Sequence, residues 1–443
     1  MTDWRKMILK NSAPRQSHLL SVTGAGKALR TRFSLGYDNA DGLYIDRNYK
    51  RITARVNNDV KINDFISSII DINFKRSINE NPSIDPMYRI GITAPIYAAQ
   101  WQDGRVASGK DGDNIYGMIT QGGFKNYQYN QIAGKLALDV KPLDGLKLTG
   151  VFSPLLNFDK SKLFTKKVPF TAWNNPAQNI GFINGYNQTN LDESRVESYE
   201  YTAQFLANYQ KSIKKHNFNV LAGYESYYYF NENLSASRDQ YLLTNYPYLN
   251  LGPLEFRDNG GGAYENAYRS YFGRIMYNFA DKYFVQANVR YDGSSRFAPQ
   301  YRWGTFPSFS VGWTVSEESF LKDISWVDFL KIRASYGTLG NERIGNYPYQ
   351  ALLKFENSSL FYKGNEAVSA QSAAQWQYAI RDISWEKTES FDVGLDYVGF
   401  GNRLNFTFDY YKKITYDMLL ELHFTCVLIW VIKPNILRYL QFQ

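Results

Sequence analysis

Few residues in this 443-residue chain are of the types that carry out covalent or metal chemistry. Its three histidines, His18, His216 and His423, share no ligand-like spacing, and its one cysteine, Cys426, supports neither an internal disulfide nor a Cys-based zinc site. Gly24–Lys27 reads G-A-G-K, but the second half of the phosphate-loop spacing is missing and no helical pattern follows, so a turn is expected there. The string KDGDN at 110–114 resembles part of a calcium loop; without the remaining ligand spacing and the closing Glu it reads as a solvated turn. Asp192 and Glu193 are adjacent, and the lone carboxylates elsewhere offer no second carboxylate at a defined distance for acid–base work. No G-x-S-x-G elbow accompanies a histidine. The expectation is therefore a chain that is not an enzyme, with no cofactor and no catalytic residues. What the sequence has in quantity is aromatic surface: 36 Tyr, 29 Phe and 9 Trp. Within its polar stretches Tyr88, Tyr97, Trp101, Trp173, Tyr186, Tyr248, Tyr362 and Trp376 are placed to stack on sugar rings or clamp a peptide. Packing of long loops against one another is the commoner role for such residues.

The elements that must position these residues are strands. Hydrophobic residues make up 44% and charged residues 21%, too apolar for a disordered chain and too polar for a bundle of membrane helices. No apolar window reaches the 18 or so residues of a membrane helix, and Met1–Gln16 has no signal-peptide core. The formal charge of +8 is spread thinly, without a Lys/Arg run longer than two, so a nucleic-acid partner is not expected. The dominant pattern is period-two alternation. In YFVQANVRYD, Tyr283, Val285, Ala287, Val289 and Tyr291 alternate with Gln286, Asn288, Arg290 and Asp292; in 404–410, Leu404, Phe406, Phe408 and Tyr410 alternate with Asn405, Thr407 and Asp409. Similar runs lie at 132–140, 146–152, 199–209, 218–224, 271–279, 309–315, 330–336 and 391–397, with weaker ones at 19–22, 29–37, 52–56 and 66–74. Roughly fourteen strands result. Tight turns at 142–145, 280–282 and 399–402 and a short basic link at 211–217 alternate with long polar stretches at 77–129, 159–197, 231–265 and 340–386.

That alternation of short and long connections is the pattern of an outer-membrane β-barrel. A bilayer admits only helices and closed barrels, because each backbone polar group must find a partner within the protein. Charges such as Arg290, Asp292, Asp396 and Asp409, costly in a dry core, are tolerable on a face bathed by water. Tyr271, Tyr277, Tyr291, Trp303, Trp313, Tyr336, Tyr397, Tyr410 and Tyr411 near strand ends suit the membrane–water boundary. A soluble sandwich or propeller shares the alternation, but a sandwich needs no such loop parity and no propeller-like repeat is found.

The stretch YFGRIMYNFADKYFVQANVRYDGSSRFAPQYRWGTFPSFSVGWTVSEESFL, 271–321, resembles the SusC/RagA family of TonB-linked outer-membrane proteins. LKIRASYGTLGN at 330–341 and SWEKTESFDVGLDYVGFGNRLNFTFDYYKKITYDMLL at 384–420 continue the resemblance in order; 2–26 is similar to the passage from plug to first barrel strand, and 49–60 fits an early strand pair. The resemblance implies a barrel of about 22 strands around an amino-terminal plug. It also implies a SusD-like lipoprotein over the extracellular mouth, TonB as energy source, and import of oligosaccharides or peptides across the outer membrane of a Bacteroidota-type bacterium. Signal peptide, TonB box and plug are expected before residue 1, and the last strands after Leu420. The chain thus divides into a partial barrel, residues 1–421, and a tail, residues 422–443, whose composition breaks so abruptly that frameshifted sequence is expected. Such a piece is expected not to transport alone. A passive porin-like channel is the alternative, and a soluble β-rich glycan-binding protein a weaker one.

Overall fold

The computed structural model describes residues 1–419 apart from Asp323, Asn365 and Tyr378, and apart from the side chains of 356–363, 366–367 and 376–377. The expected tail at 422–443, with Cys426 and His423, lies outside the described residues. In chain order the strands are β1 (Arg15–Ala25), β2 (Leu29–Asp41), β3 (Asn48–Lys61), β4 (Ile66–Glu80), β5 (Gly123–Leu143), β6 (Leu146–Thr165), β7 (Pro169–Thr171), β8 (Asn179–Phe182) and β9 (Asn190–Ile213). They continue as β10 (His216–Arg238), β11 (Arg257–Phe279), β12 (Tyr283–Ser294), β13 (Trp303–Thr314), β14 (Val327–Asn341), β15 (Leu352–Lys363), β16 (Glu366–Gln377), β17 (Glu386–Gly399) and β18 (Leu404–Tyr416). Among the described residues three short α-helices, α1 (Trp4–Ile8), α2 (Met87–Ile92) and α3 (Ile115–Gln121), lie outside the strands.

One 14-stranded sheet runs in the order β1-β2-β3-β4-β5-β6-β9-β10-β11-β12-β13-β14-β17-β18, while β7–β8 and β15–β16 form separate two-stranded sheets. The fourteen alternating runs of the sequence correspond one to one with the fourteen strands of the large sheet. Sequence neighbours pair antiparallel, so connections alternate between its two ends. On one end they are short: 26–28, 62–65, 144–145, 214–215, 280–282, 315–326 and 400–403. On the other they include 81–122, 166–189, 239–256 and 342–385. Local chemistry fixes the tight ones. Gly145 has φ +83° and a Cβ there would sit 2.2 Å from the Gln210 carbonyl oxygen. Ala280 and Asp281 both take positive φ, and Asn278 Oδ1 accepts from Asp281 N at 2.9 Å to hold that turn.

The long polar stretches are shorter than the sequence suggests, because strands continue into them. β9, β10 and β11 are 24, 23 and 23 residues long, against about 9–11 for a bilayer crossing. Beyond the lipid both faces of a strand meet water, so the apolar half of the alternation disappears; in β11 the segment RDNGGGAYE is exposed throughout.

Packing divides the chain into two compact units: 1–137 with 152–201 and 229–264, and 138–151 with 202–228 and 265 onward. In the first unit, cross-strand register builds apolar rows such as Val22–Phe33–Val56–Ile72 and Leu20–Leu35–Ala54–Phe74 on one face of β1–β4. In the second, Tyr277–Val285–Val311–Ala334–Val393–Tyr410 and Phe279–Tyr283–Trp313–Ile332–Leu395–Phe408 do the same across β11–β14, β17 and β18. Many of these side chains are exposed, Val22, Phe33, Ile72, Val285, Val311 and Phe408 among them. Trp303 stacks on Tyr291 and meets Tyr271 at a tilt towards the long-loop end of this face, and Tyr283 stacks on Trp313 at the short-turn end, as interface belts require. Tyr411 is a correction: it lies opposite Asp392, on the polar face.

Buried apolar clusters are small; the most extensive among the described residues lies in the first unit at the long-loop end, and the second unit has one of Phe297, Phe306 and Trp385. Trp4, Ile8, Tyr44, Ile90, Ala99, Val106, Ile115, Met118, Ile119, Val168, Ile183 and Tyr186 are buried together. The resemblance placed 2–26 as the passage from plug to first strand; instead Trp4 Nε1 donates to Ala94 O at 3.1 Å, α1 joins this loop core, and β1 runs from there towards the short turn at 26–28.

Candidate functional site

Side chains with chemistry gather on the polar face of the sheet and in the long-loop core. In the second unit, β10, β11 and β12 bring Glu225, Ser270, Arg290 and Asp292 together. Arg290 Nε donates to Asp292 Oδ1 at 2.8 Å, and its Nη2 donates to Glu225 Oε1 at 3.1 Å and to Ser270 Oγ at 2.8 Å. Farther along, Arg333 of β14 is shared by three carboxylates, Asp396 at 3.1 Å, Asp392 at 3.4 Å and Asp409 at 2.5 Å. The strand charges singled out in the sequence, Arg290, Asp292, Asp396 and Asp409, are therefore all paired. Alternation shows which face a charge takes but not its cross-strand register, and register makes the pairs. A cleft of about 590 Å³ lies beside this network, lined by Asn217, Asn219, Gln286, Lys331, Arg333 and Asp392 among others.

The polar face of β1–β4 in the first unit is arranged differently. Asp38 is held by Arg51 at 2.7 Å and Asp71 accepts from Asn57 at 2.7 Å. Among the described residues Arg32 reaches only Ser21 Oγ, at 3.2 Å. Arg30, Arg55 and Lys75 share this face, from the register, and have no ion-pair partner among the described residues. The sequence reading passed over these cations; the signal was the i, i+2 spacing of Arg30 and Arg32 opposite Thr31 and Phe33.

The sequence motifs take structural roles. Gly24–Lys27 falls in the β1–β2 turn, with Gly26 N donating to Leu29 O at 2.8 Å. In KDGDN, Asp111 and Gly112 adopt positive φ, Asp113 pairs with Arg89, and Asn114 is fully buried. Asn114 caps α3 by accepting from Tyr116 N and Gly117 N, while its amide donates to Ala99 O at 2.6 Å and Ala107 O at 2.7 Å. Only part of the string is thus a solvated turn. Glu193 is tied to Lys162 and Arg195, each at 2.8 Å. Among the described residues no group of three or more His, Cys, Asp or Glu is placed to hold a metal.

The aromatic candidates separate into two kinds. Tyr186 is buried beside Ser83, which its hydroxyl contacts at 2.9 Å, and burial pushes its phenol up from the ordinary range. Tyr97 packs on the same core, and Trp101 Nε1 donates to Thr171 O at 2.9 Å. Tyr88 and Trp173 are open to solvent, 77% and 74% exposed, and Tyr248 is exposed beneath the Lys162 ammonium at 4.9 Å. The side chains of Tyr362 and Trp376 lie outside those described.

Comparison with known proteins places this geometry. The β-barrel model of TonB dependent receptor-like proteins matches residues 62–423. TonB-dependent receptor SusC of Bacteroides thetaiotaomicron is 27% identical over 442 residues, covering 94% of this chain and 42% of that protein. TonB-dependent receptor P39 of Formosa agariphila is 28% identical over 415 residues, covering 90% of this chain and 37% of that protein. Among solved structures, the RagAB peptide importer in its open-open state superimposes with a TM-score of 0.79 at 24% identity, over 95% of this chain and 46% of that one. The chain thus spans less than half the length of the relatives it matches.

Proposed function

This chain belongs to the TonB-dependent receptor-like β-barrel family, and from that premise we propose that it forms part of the barrel of a SusC/RagA-like importer in the outer membrane. The observation that carries the reading is the register. It sets exposed apolar rows on one face of every ladder named above and Arg, Asp, Asn and Ser on the other. In water the apolar rows would be a large liability; against lipid they are stabilising, and the polar face then borders the aqueous path. Cargo is an oligosaccharide or peptide too large for passive porins. The partners are a SusD-like lipoprotein at the long-loop end, where Tyr88 and Trp173 are exposed, and TonB acting through the parts of the receptor beyond this span. No enzymatic step is involved. Residues 1–421 serve as the barrel segment, a limit supported by the family match ending at residue 423.

The test is to express the 443-residue chain behind a signal peptide in a Bacteroidota host lacking a full-length relative. The chain is expected to fractionate with the outer membrane, resist carbonate extraction and restore no uptake by itself. Recovery in the aqueous phase without detergent would overturn the membrane assignment, and steady conductance in planar bilayers would favour a passive channel over an importer segment.

A further inference from the structure

Three cations stand on one diagonal of the polar face of β2, β3 and β4. Arg32 lies opposite Asn57, two residues from Arg55; Arg55 lies opposite Asn73, two residues from Lys75. Diagonal neighbours of this kind are about 7–8 Å apart. Of the nearby carboxylates, Asp38 is paired with Arg51, Asp71 accepts from the neutral Asn57 amide, and Asp159 lies within electrostatic reach of Lys75 without forming an ion pair with it. Arg30 continues the positive surface one row beyond Arg32, opposite Asp59 but outside ion-pair distance. Like charges set together on one face cost stability unless something neutralises them.

We propose that this diagonal binds an acidic peptide in extended conformation, with carboxylates on alternate residues. The proposal rests on the importer reading only in taking this face as the one that water and cargo reach. Alternate side chains of an extended strand point the same way at intervals of about 6.6–6.8 Å, close to the separation of the three cations. Guanidinium groups donate to such carboxylates in bidentate fashion. A sugar acid would carry the same charge, but rings are held by aromatic platforms, and this face of β1–β4 carries one aromatic residue, Tyr49, whose hydroxyl lies 3.4 Å from Ser77 Oγ.

The test uses the full chain in non-ionic detergent, with fluorescein-labelled (Glu-Ser)4, (Gln-Ser)4 and (Lys-Ser)4 peptides and oligogalacturonate as competitor, read by anisotropy. The glutamate peptide is expected to bind at least about tenfold more tightly than the glutamine peptide. Arg32→Gln, Arg55→Gln and Lys75→Gln should each weaken it by roughly 3- to 10-fold, and 0.5 M salt should weaken it by about tenfold or more. Heat-modifiable gel migration establishes that each variant is folded. Equal affinity for the glutamate and glutamine peptides, or affinity untouched by all three substitutions, overturns the proposal. So does oligogalacturonate binding in the absence of glutamate-peptide binding, which would assign the diagonal to acidic glycans. A chain that enters membranes yet fails to bind removes this inference alone, whereas one that does not enter membranes removes the importer reading.

Discussion

The two compact units differ in how far they pair the charges on the polar side of the sheet. In the second, each arginine of the central network is surrounded by carboxylates: Arg290 meets Asp292 and Glu225, and Arg333 meets Asp392, Asp396 and Asp409. In the first, Arg32, Arg55 and Lys75 form no ion pair among the described residues, although Asp159 lies within electrostatic reach of Lys75, and a dry core of loop residues gathers around Asn114. Charge matched by charge is a means of fixing strands beside water; charge left unmatched is available to a ligand.

The largest expected effect probes how the first unit is held together. Asn114→Ala strands two backbone carbonyls and two N–H groups in a buried site, at a local cost of about 2–4 kcal/mol. Hydrogen exchange should show 99–121 losing protection while β12–β14 keep theirs; unchanged protection would mean the loop core does not depend on this amide. Next, Arg333→Leu leaves three carboxylates facing one another. Because the cluster is partly solvated, a loss of only about 1–2 kcal/mol is expected in detergent unfolding, partly recovered in Arg333→Leu with Asp409→Asn. The matching change in the first unit, Arg55→Leu, removes no ion pair and should leave stability within about 0.5 kcal/mol. Similar losses at both sites would erase the distinction between the units. The smallest effect concerns pH. Burial raises the carboxyl of Glu342, which lies beyond β14, despite Ser294 and the nearby Arg296 charge. The folded state therefore holds this proton more tightly than the unfolded chain. The Glu342 contribution should make the protein slightly more stable as pH falls through the raised value towards the ordinary glutamate range, and Glu342→Gln should flatten that dependence.

Much of this architecture was legible in the chain. Period-two runs located all fourteen strands of the large sheet, because a lipid-facing side chain at every second position cannot be hidden from the sequence. The turns at 144–145 and 280–282 announced themselves through glycine or through Asn and Asp. Strand ends were misjudged where both faces meet water and alternation vanishes, as in the exposed start of β11. The loop core was missed because its residues are drawn from 4–8, 44, 90–119 and 168–186, and no local pattern reports contacts that distant. The basic diagonal was missed for a related reason: Arg32, Arg55 and Lys75 become neighbours only when two registers are known.

The central claim, that alternate residues of these strands face lipid and water, is most directly tested by spin labels on single cysteines in a Cys426→Ser background. Labels at 285, 289 and 311 and at 286, 288 and 310, in chain reconstituted into bilayers, would be read by accessibility to oxygen and to a water-soluble nickel chelate. The predicted result is a period-two pattern, with Val285, Val289 and Val311 positions open to oxygen and closed to the chelate, and Gln286, Asn288 and Ser310 positions open to the chelate. Equal chelate access at both sets, or odd positions shielded from oxygen and chelate alike as in a packed protein interior, would contradict it.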